Sequence, residues 1–258
     1  MIADPRGRIR EFEREIVRRT STSTEPTSFG TAFLNADVPR RFDSNFLWVE
    51  QLAASVEADA VAADADRVLG EAGLAHREIR VDDEEAGGRL APAFLDLGWS
   101  ADRFVVMGQS REPEPRPPIP TRLVGFDVAR PIVEETLRRQ PHGEDEEAHG
   151  QLVAFRATLE RALGARFVVA DLDGRPASVC ELYVLDGVAQ IEDVNTLAEH
   201  RGRGLASAVV LAAADAARAD GCDLVFLVAD DADWPKRLYT RLGFVPLTRY
   251  WSFLSWPR

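Results

Sequence analysis

Cysteine is scarce in this 258-residue chain: only Cys180 and Cys222 occur, both in strand-like apolar surroundings. Two thiols exclude a disulfide framework and a cysteine-based metal site, so a reducing compartment is expected, with the cytoplasm as default. Lysine is scarcer still, Lys236 being the only one among 31 basic residues. No run approaches the roughly 18 apolar residues of a membrane span, and the first residues, MIADPR, carry no apolar signal core. The formal charge is −12, which argues against nucleic acid because nothing here would neutralise a row of phosphates. What remains is an ordinary acidic globular composition, 45% hydrophobic and 29% charged, long enough for one large or two small cores.

Periodicity orders the chain. Residues 8–19 alternate charge and apolar groups at helical spacing, and TSTSTEPTS breaks the pattern. The stretch FLNADVPRRFDSNFLWV reads as irregular and leads to an Ala-rich helix expected over 49–72. HREIRV alternates like a strand, 84–97 is expected helical, and DRFVVMG is a further strand. REPEPRPPIP, residues 111–120, is the most Pro-dense segment, and locked φ angles with missing donors mark it as an extended linker. Three divisions follow: an N-terminal domain over 1–110, the linker over 111–120 and a second domain over 121–258.

Beyond the linker, TRLVGFDVA reads as a strand, with helices near 131–140 and 147–163. A β-meander follows, punctuated by Asp173-Gly174 and Asp186-Gly187, both strong hairpin signals. A strand over 188–197, a helix over 203–219, the buried strand CDLVFLVA, a helix over 233–242 and FVPLTRYWSFL complete the order βααβββαβαβ. That order is expected to build an α/β domain on a mixed sheet.

The segment HRGRGLASA, residues 200–208, joins a strand to an apolar helix through two glycines and two arginines. The first N–H groups of such a helix lack internal partners, and its dipole adds partial positive charge. Glycines let a bulky anion approach the backbone. This is a candidate pyrophosphate cradle over Gly202 to Ser207. It lacks the spacing of the dinucleotide fingerprint and the Gly-Lys-Ser/Thr of a P-loop.

These residues resemble the GCN5-related N-acetyltransferases (GNAT), whose acetyl-CoA signature Arg/Gln-x-x-Gly-x-Gly/Ala is matched by Arg201-x-x-Gly204-x-Ala206. The bare pattern also occurs at Arg67-Val-Leu-Gly70-Glu-Ala72. Only the second copy has a strand before it, a long helix and strand after it, and then WPKRLYTRLGF, similar to the family's LYxxLGF element. The resemblance covers residues 121–258. It implies the GNAT acyl-CoA N-acyltransferase fold, with a mixed, largely antiparallel sheet, and acetyl-CoA as co-substrate. It also implies a primary amine on a small-molecule or peptide acceptor.

Carried residue by residue, the resemblance lays the pantetheine arm along Val194, Asn195 and Thr196, where one N–H would polarise the thioester carbonyl. The pyrophosphate would lie on Arg201, Gly202, Arg203, Gly204, Leu205, Ala206 and Ser207, and Tyr239 would protonate the departing thiolate. An alkylamine with pKa near ~10.4 needs a proton acceptor at neutral pH. Where the family often has Glu, this chain has Gln190; Glu192, two residues on and on the same strand face, is the candidate base. Asp230, Asp231 or water are the alternatives. An Asn often found about seven residues before the tyrosine is replaced by Ala232. Gln190 and Ala232 keep open a second possibility, a non-catalytic acyl-CoA-binding module or sensor.

The N-terminal half carries a partial copy. RVDDEEAGGRLAPAFLDLGWSADRFVVM aligns with LVADDADWPKRLYTRLGFVPLTRYWSFL at a spacing of 243 − 98 = 145 residues, small gaps aside. Gly98-Trp99 falls on Gly243-Phe244, and Phe94 on Tyr239. The first half is expected to be a smaller, degenerate α/β GNAT-like half without cradle or phenol.

Overall fold

Apolar spacing and capping residues set where each element of the computed structural model starts and stops; residues 4–113, 118–140 and 143–256 are described. Helix α1 (Pro5–Thr20) buries Ile9, Phe12 and Ile16, one stripe at helical spacing. Strands β1 (Ser23–Pro26), β2 (Thr31–Leu34) and β3 (Phe46–Val49) follow, where the sequence suggests irregular chain. They are only four residues each, too short to show a clear alternation. Val49 therefore ends a strand, and helix α2 (Ala58–Glu71) starts later than expected. Strand β4 (Arg77–Val81), helix α3 (Glu84–Asp96) and strand β5 (Ser100–Gln109) complete the first half. Asp83 caps α3 by accepting the Ala86 N–H at 3.0 Å.

The second half runs β6 (Thr121–Val124), α4 (Phe126–Arg138), α5 (Glu146–Leu163), β7 (Arg166–Leu172), β8 (Arg175–Leu185) and β9 (Val188–Thr196). It continues with α6 (Leu205–Ala219), β10 (Leu224–Asp230), α7 (Pro235–Arg241) and β11 (Phe244–Ser255). The order is the expected one. Helix α4 nevertheless starts at Phe126, ahead of Pro131, because the Glu160 carboxylate accepts the Phe126 N–H at 2.8 Å and substitutes for a local cap. Residues 111–113 and 118–120 of the expected linker are neither helix nor strand, and 114–117 lie outside the described residues. Among the described residues, no helix is long and apolar enough to cross a membrane.

Two compact units interleave along the chain. The first comprises Met1–Ile16, Val106–Ala229 and Trp234–Leu247, the second Val17–Val105, Asp230–Asp233 and Thr248–Arg258. The expected division at 111–120 therefore does not coincide with them. Within the first unit the strand order is β11-β5-β10-β9-β8-β7-β6. Neighbours from β6 to β9 are antiparallel and β9 with β10 is parallel, which makes the sheet mixed. Phe126, Ile132, Val133, Phe167 and Val179 form a core with α4 on one side. Helix α1 joins this unit through Phe12, edge-on to Phe226 with ring centroids 5.4 Å apart. Arg8 donates to both Asp223 carboxylate oxygens at 2.9 and 2.6 Å.

In the second unit, β1 to β3 run antiparallel, β3 pairs β4 in parallel, and β4 pairs the end of β11 antiparallel from Val81↔Trp251 to Arg77↔Ser255. One sheet face meets α2 and α3 over Leu47, Val61, Val68, Ile79 and Phe253. Phe94 of α3 is fully buried there, stacked on Phe253 at 4.1 Å. The repeat alignment has a structural counterpart: Gly98 after α3 and Gly243 after α7 both hold left-handed φ, 83° and 87°. A side chain at either glycine would be strained.

The other face of this sheet carries Glu78 and Arg80. The Arg80 guanidinium lies 4.4 Å from the Trp48 ring centroid and 4.0 Å from that of Tyr250. Burial, then Asp43, pushes the Glu78 carboxyl up to about 8, against the Ser252 hydrogen bond at 3.0 Å and the charges of Arg80 and Arg41. Its folded proton affinity thus exceeds the unfolded one. The sign follows: the contribution of Glu78 to stability is fully present below about pH 4.5 and is lost as pH rises toward about 8. At ~1.4 kcal/mol per tenfold change in proton affinity, the loss is on the order of 5 kcal/mol at most. Urea melts of Glu78→Gln should show a smaller loss between pH 5 and 8.5 than the parent chain shows. Parallel losses in the two proteins would refute the assignment.

Candidate active site

The site is built where two neighbouring strands part. β9 and β10 pair only from Val188↔Leu224 to Ile191↔Leu227, while β9 runs on to Thr196 and β10 to Asp230. Residues 192–196 of β9 therefore lie beyond the ladder with β10. On its other side β9 is bulged: Glu192 pairs Glu181 and Asn195 pairs Val179, so Asp193 and Val194 stand opposite the single residue Cys180. A bulge leaves backbone unpaired and turns the strand. Asp193 takes a left-handed φ of 49° to make it, a conformation Asp tolerates better than most residues.

Next comes the cradle. The chain leaves β9 through a short turn at Ala198–His200. Arg139 at the end of α4 holds that turn by donating to both Glu199 oxygens at 2.5 and 3.2 Å. The Arg201 Nε donates to the Thr196 carbonyl at 3.3 Å, tying the cradle back to the strand end. Gly202 and Gly204 both adopt left-handed φ, 75° and 82°. Gly204 is the N-cap of α6, and no side chain caps the helix there. The first hydrogen bond of α6 runs from the Ala208 N–H to the Gly204 carbonyl at 3.0 Å. Residues 201–204 are exposed, and a Cβ at Gly202 would have no atom within 4 Å. A fifteen-residue helix whose start no side chain caps, beside exposed arginines, offers N–H donors and positive charge suited to an anion.

Tyr239 of α7 is buried and packs edge-on to Phe244 with centroids 6.3 Å apart. Burial raises its phenol pKa, and the neighbouring Glu192 carboxylate, Cys180 thiol and Asp193 carboxylate raise it further. The phenol thus stays protonated through the neutral range. Among the described residues, no hydrogen bond holds its hydroxyl. The structure brings Tyr239 and Glu192 into one electrostatic neighbourhood. Gln190 and Glu192 share a face, with the Gln190 Nε2 donating to Glu192 Oε2 at 2.6 Å. The other carboxylates are committed elsewhere. Asp230 Oδ1 accepts the Ala232 N–H at 2.7 Å, and Asp231 is bound by Arg249 at 3.0 Å and Arg103 at 2.7 Å.

Sequence reasoning missed a buried charged cluster directly below the bulge. Arg156 of α5 donates through Nε to Glu181 at 2.9 Å and through a terminal nitrogen to Asp193 at 2.6 Å. The Tyr183 hydroxyl donates to the other Glu181 oxygen. Burial disfavours the Arg156 charge, but Glu181 and Asp193 outweigh it and hold the guanidinium charged. The signal was available: Glu181 interrupts the apolar run SVCELYVL at a core register.

Residues 130–244 match the model of the acetyltransferase (GNAT) family. Three solved structures share the fold at low identity. A functionally unknown conserved protein from Staphylococcus epidermidis superimposes with a TM-score of 0.67 at 16% identity, covering 91% of this chain and 93% of that one. A GCN5-related N-acetyltransferase from Kribbella flavida gives 0.65 at 20% identity, covering 99% and 96%. A tandem GNAT protein from the clavulanic acid biosynthesis pathway gives 0.57 at 17% identity, covering 89% and 80%. No curated protein matches the chain. The fold is thus that of the GNAT acyltransferases, and the tandem relative accords with two GNAT-like halves.

Proposed function

We propose, from the match of residues 130–244 to the acetyltransferase (GNAT) family model, that this chain moves an acetyl group from acetyl-CoA to a primary amine by direct attack. The observation that carries the proposal is the uncapped, two-glycine start of α6 next to residues 192–196, which run on beyond the ladder with β10. Bound acetyl-CoA would supply the acetyl group as a thioester. Backbone N–H groups of Leu205, Ala206 and Ser207, with Arg201, Gly202, Arg203 and Gly204, hold the diphosphate. Val194, Asn195 and Thr196 line the acyl arm, and one N–H there polarises the carbonyl, an oxyanion-type contribution. Glu192 accepts the amine proton directly or through water, and Gln190 fixes its carboxylate. Tyr239 keeps its proton until a departing sulfur needs it.

The catalytic machinery falls within residues 121–258, and the N-terminal half is chemically silent because Phe94 stands where the phenol belongs. Two free, buried thiols suit a reducing compartment such as the cytoplasm. Calorimetric titration of the full chain should saturate at one equivalent of acetyl-CoA, and free-thiol release against an amine panel should follow. Binding without thiol release would make the chain an acyl-CoA-binding module. Two equivalents would overturn the silent half, and no binding would overturn the proposal.

A further inference from the structure

The charged cluster under β9 has no part in the steps above, yet its cost demands a return. A buried guanidinium between two carboxylates is expensive to desolvate, and a well-packed apolar trio is often as stable or more so. Side-chain exposure is 6% for Arg156, 2% for Glu181 and 23% for Asp193. The cluster also spans the bulge: Glu181 sits on β8 at the last paired position before it, and Asp193 is its left-handed residue. Only a forked, rigid donor can bond both strands at once, and a guanidinium has that shape. Further polar contacts serve the same geometry. The third Arg156 nitrogen donates to the Leu152 carbonyl at 2.9 Å, anchoring the fork to α5. Asn195 Nδ2 donates to Asp193 Oδ1 at 2.7 Å and to its carbonyl at 3.2 Å, closing a small loop around Val194.

We propose that Arg156 is a positioning residue: by bonding Glu181 and Asp193 together it fixes the bulge that presents the unpaired Val194 peptide to the acyl carbonyl. This rests on the acetyl-transfer reading of the same site. Arg156 touches no reacting atom. It sets where the polarising N–H stands, and misplacement by about an ångström is enough to cost ~100-fold in rate. The cradle lies beyond the clamp, so cofactor affinity should be nearly indifferent to it.

The test uses the full chain with Asp193→Gly, which removes the carboxylate while keeping a residue at ease with positive φ. Asp193→Asn serves as the conservative partner, since it retains one acceptor for Arg156. Expected for Asp193→Gly are an acetyl-CoA Kd within about threefold of the parent and a kcat at least ~10-fold lower. Amide hydrogen exchange across 192–196 should be at least ~10-fold faster. Asp193→Asn should recover part of both losses. A fall in kcat without faster exchange, faster exchange with unchanged kcat, or no change in either overturns the proposal. If the parent chain releases no thiol with any amine, acetyl transfer itself fails, and exchange alone decides: faster supports the clamp, unchanged refutes it. Should Asp193→Gly not fold, Asp193→Asn decides by direction: a lower kcat together with faster exchange than the parent supports the clamp, and a change in only one of them or in neither refutes it.

Discussion

Gly204→Glu should abolish acetyl-CoA binding while leaving a folded protein. The position holds φ 82° at the N-cap of α6, where a side chain adds backbone strain of about 1–2 kcal/mol. That cost is partly offset, because a carboxylate at a helix N-terminus interacts favourably with its dipole and can accept the vacant N–H groups. The two effects nearly cancel for folding and add for binding. The new carboxylate occupies the N–H groups of Leu205 to Ser207 and repels a diphosphate from the same place. Calorimetry should show affinity weakened at least ~100-fold, about 3 kcal/mol or more, with a thermal midpoint within a few degrees of the parent. Retained affinity in a folded variant would refute the cradle. Gly202→Ala is the control for strain alone. Its φ of 75° is equally left-handed, but no atom lies within 4 Å of the added carbon, and no charge is introduced.

How much of this was legible in the sequence depends on how local each determinant is. The strand–Gly-x-Gly–helix transition was, because two positive-φ residues before an apolar helix leave a local signature. So were the two Asp-Gly hairpins, where Asp173 and Gly174, and Asp186 and Gly187, take positive φ in pairs. Short β1 to β3 were not, since burial of Phe33, Phe46 and Trp48 depends on partners elsewhere in the chain. The compact units were hidden for a related reason. The Pro-dense stretch marks a break in regular structure, but α1 as far as Ile16 and the end of β5 belong with the unit that follows it. Residues 248–258 belong with the unit before it. The Phe12–Phe226 contact and the Arg8–Asp223 pair link positions more than 200 apart, and no local pattern encodes them. The Asp193 bulge is the sharpest case. Strict alternation assigns Asp193 to the face opposite Glu192, but one residue in left-handed conformation breaks the alternation. Its carboxylate then reaches Arg156, whose burial no composition reveals.

Tyr239→Phe should lower kcat by roughly 10²- to 10⁴-fold, the usual worth of a general acid, with the Kd for acetyl-CoA changed less than about threefold. The substitution removes one oxygen from a buried ring that packs against Phe244. Because no described group is hydrogen-bonded to that hydroxyl, none is left orphaned, and stability should change by less than about 1 kcal/mol. A loss of turnover therefore cannot be charged to misfolding. The pH dependence separates acid from bystander. Burial and the nearby Glu192 carboxylate keep the phenol protonated well above neutral pH, so the parent chain should lose no activity through Tyr239 between pH 6 and 9. A thiolate that departs unprotonated needs no such donor, and turnover would then survive the substitution. The N-terminal half already contains the equivalent change: Phe94, on the helix matching α7, is fully buried against Phe253 and Trp99. If Tyr239→Phe keeps the parent kcat, water or another group supplies the proton, and Tyr239 is a core residue as Phe94 is.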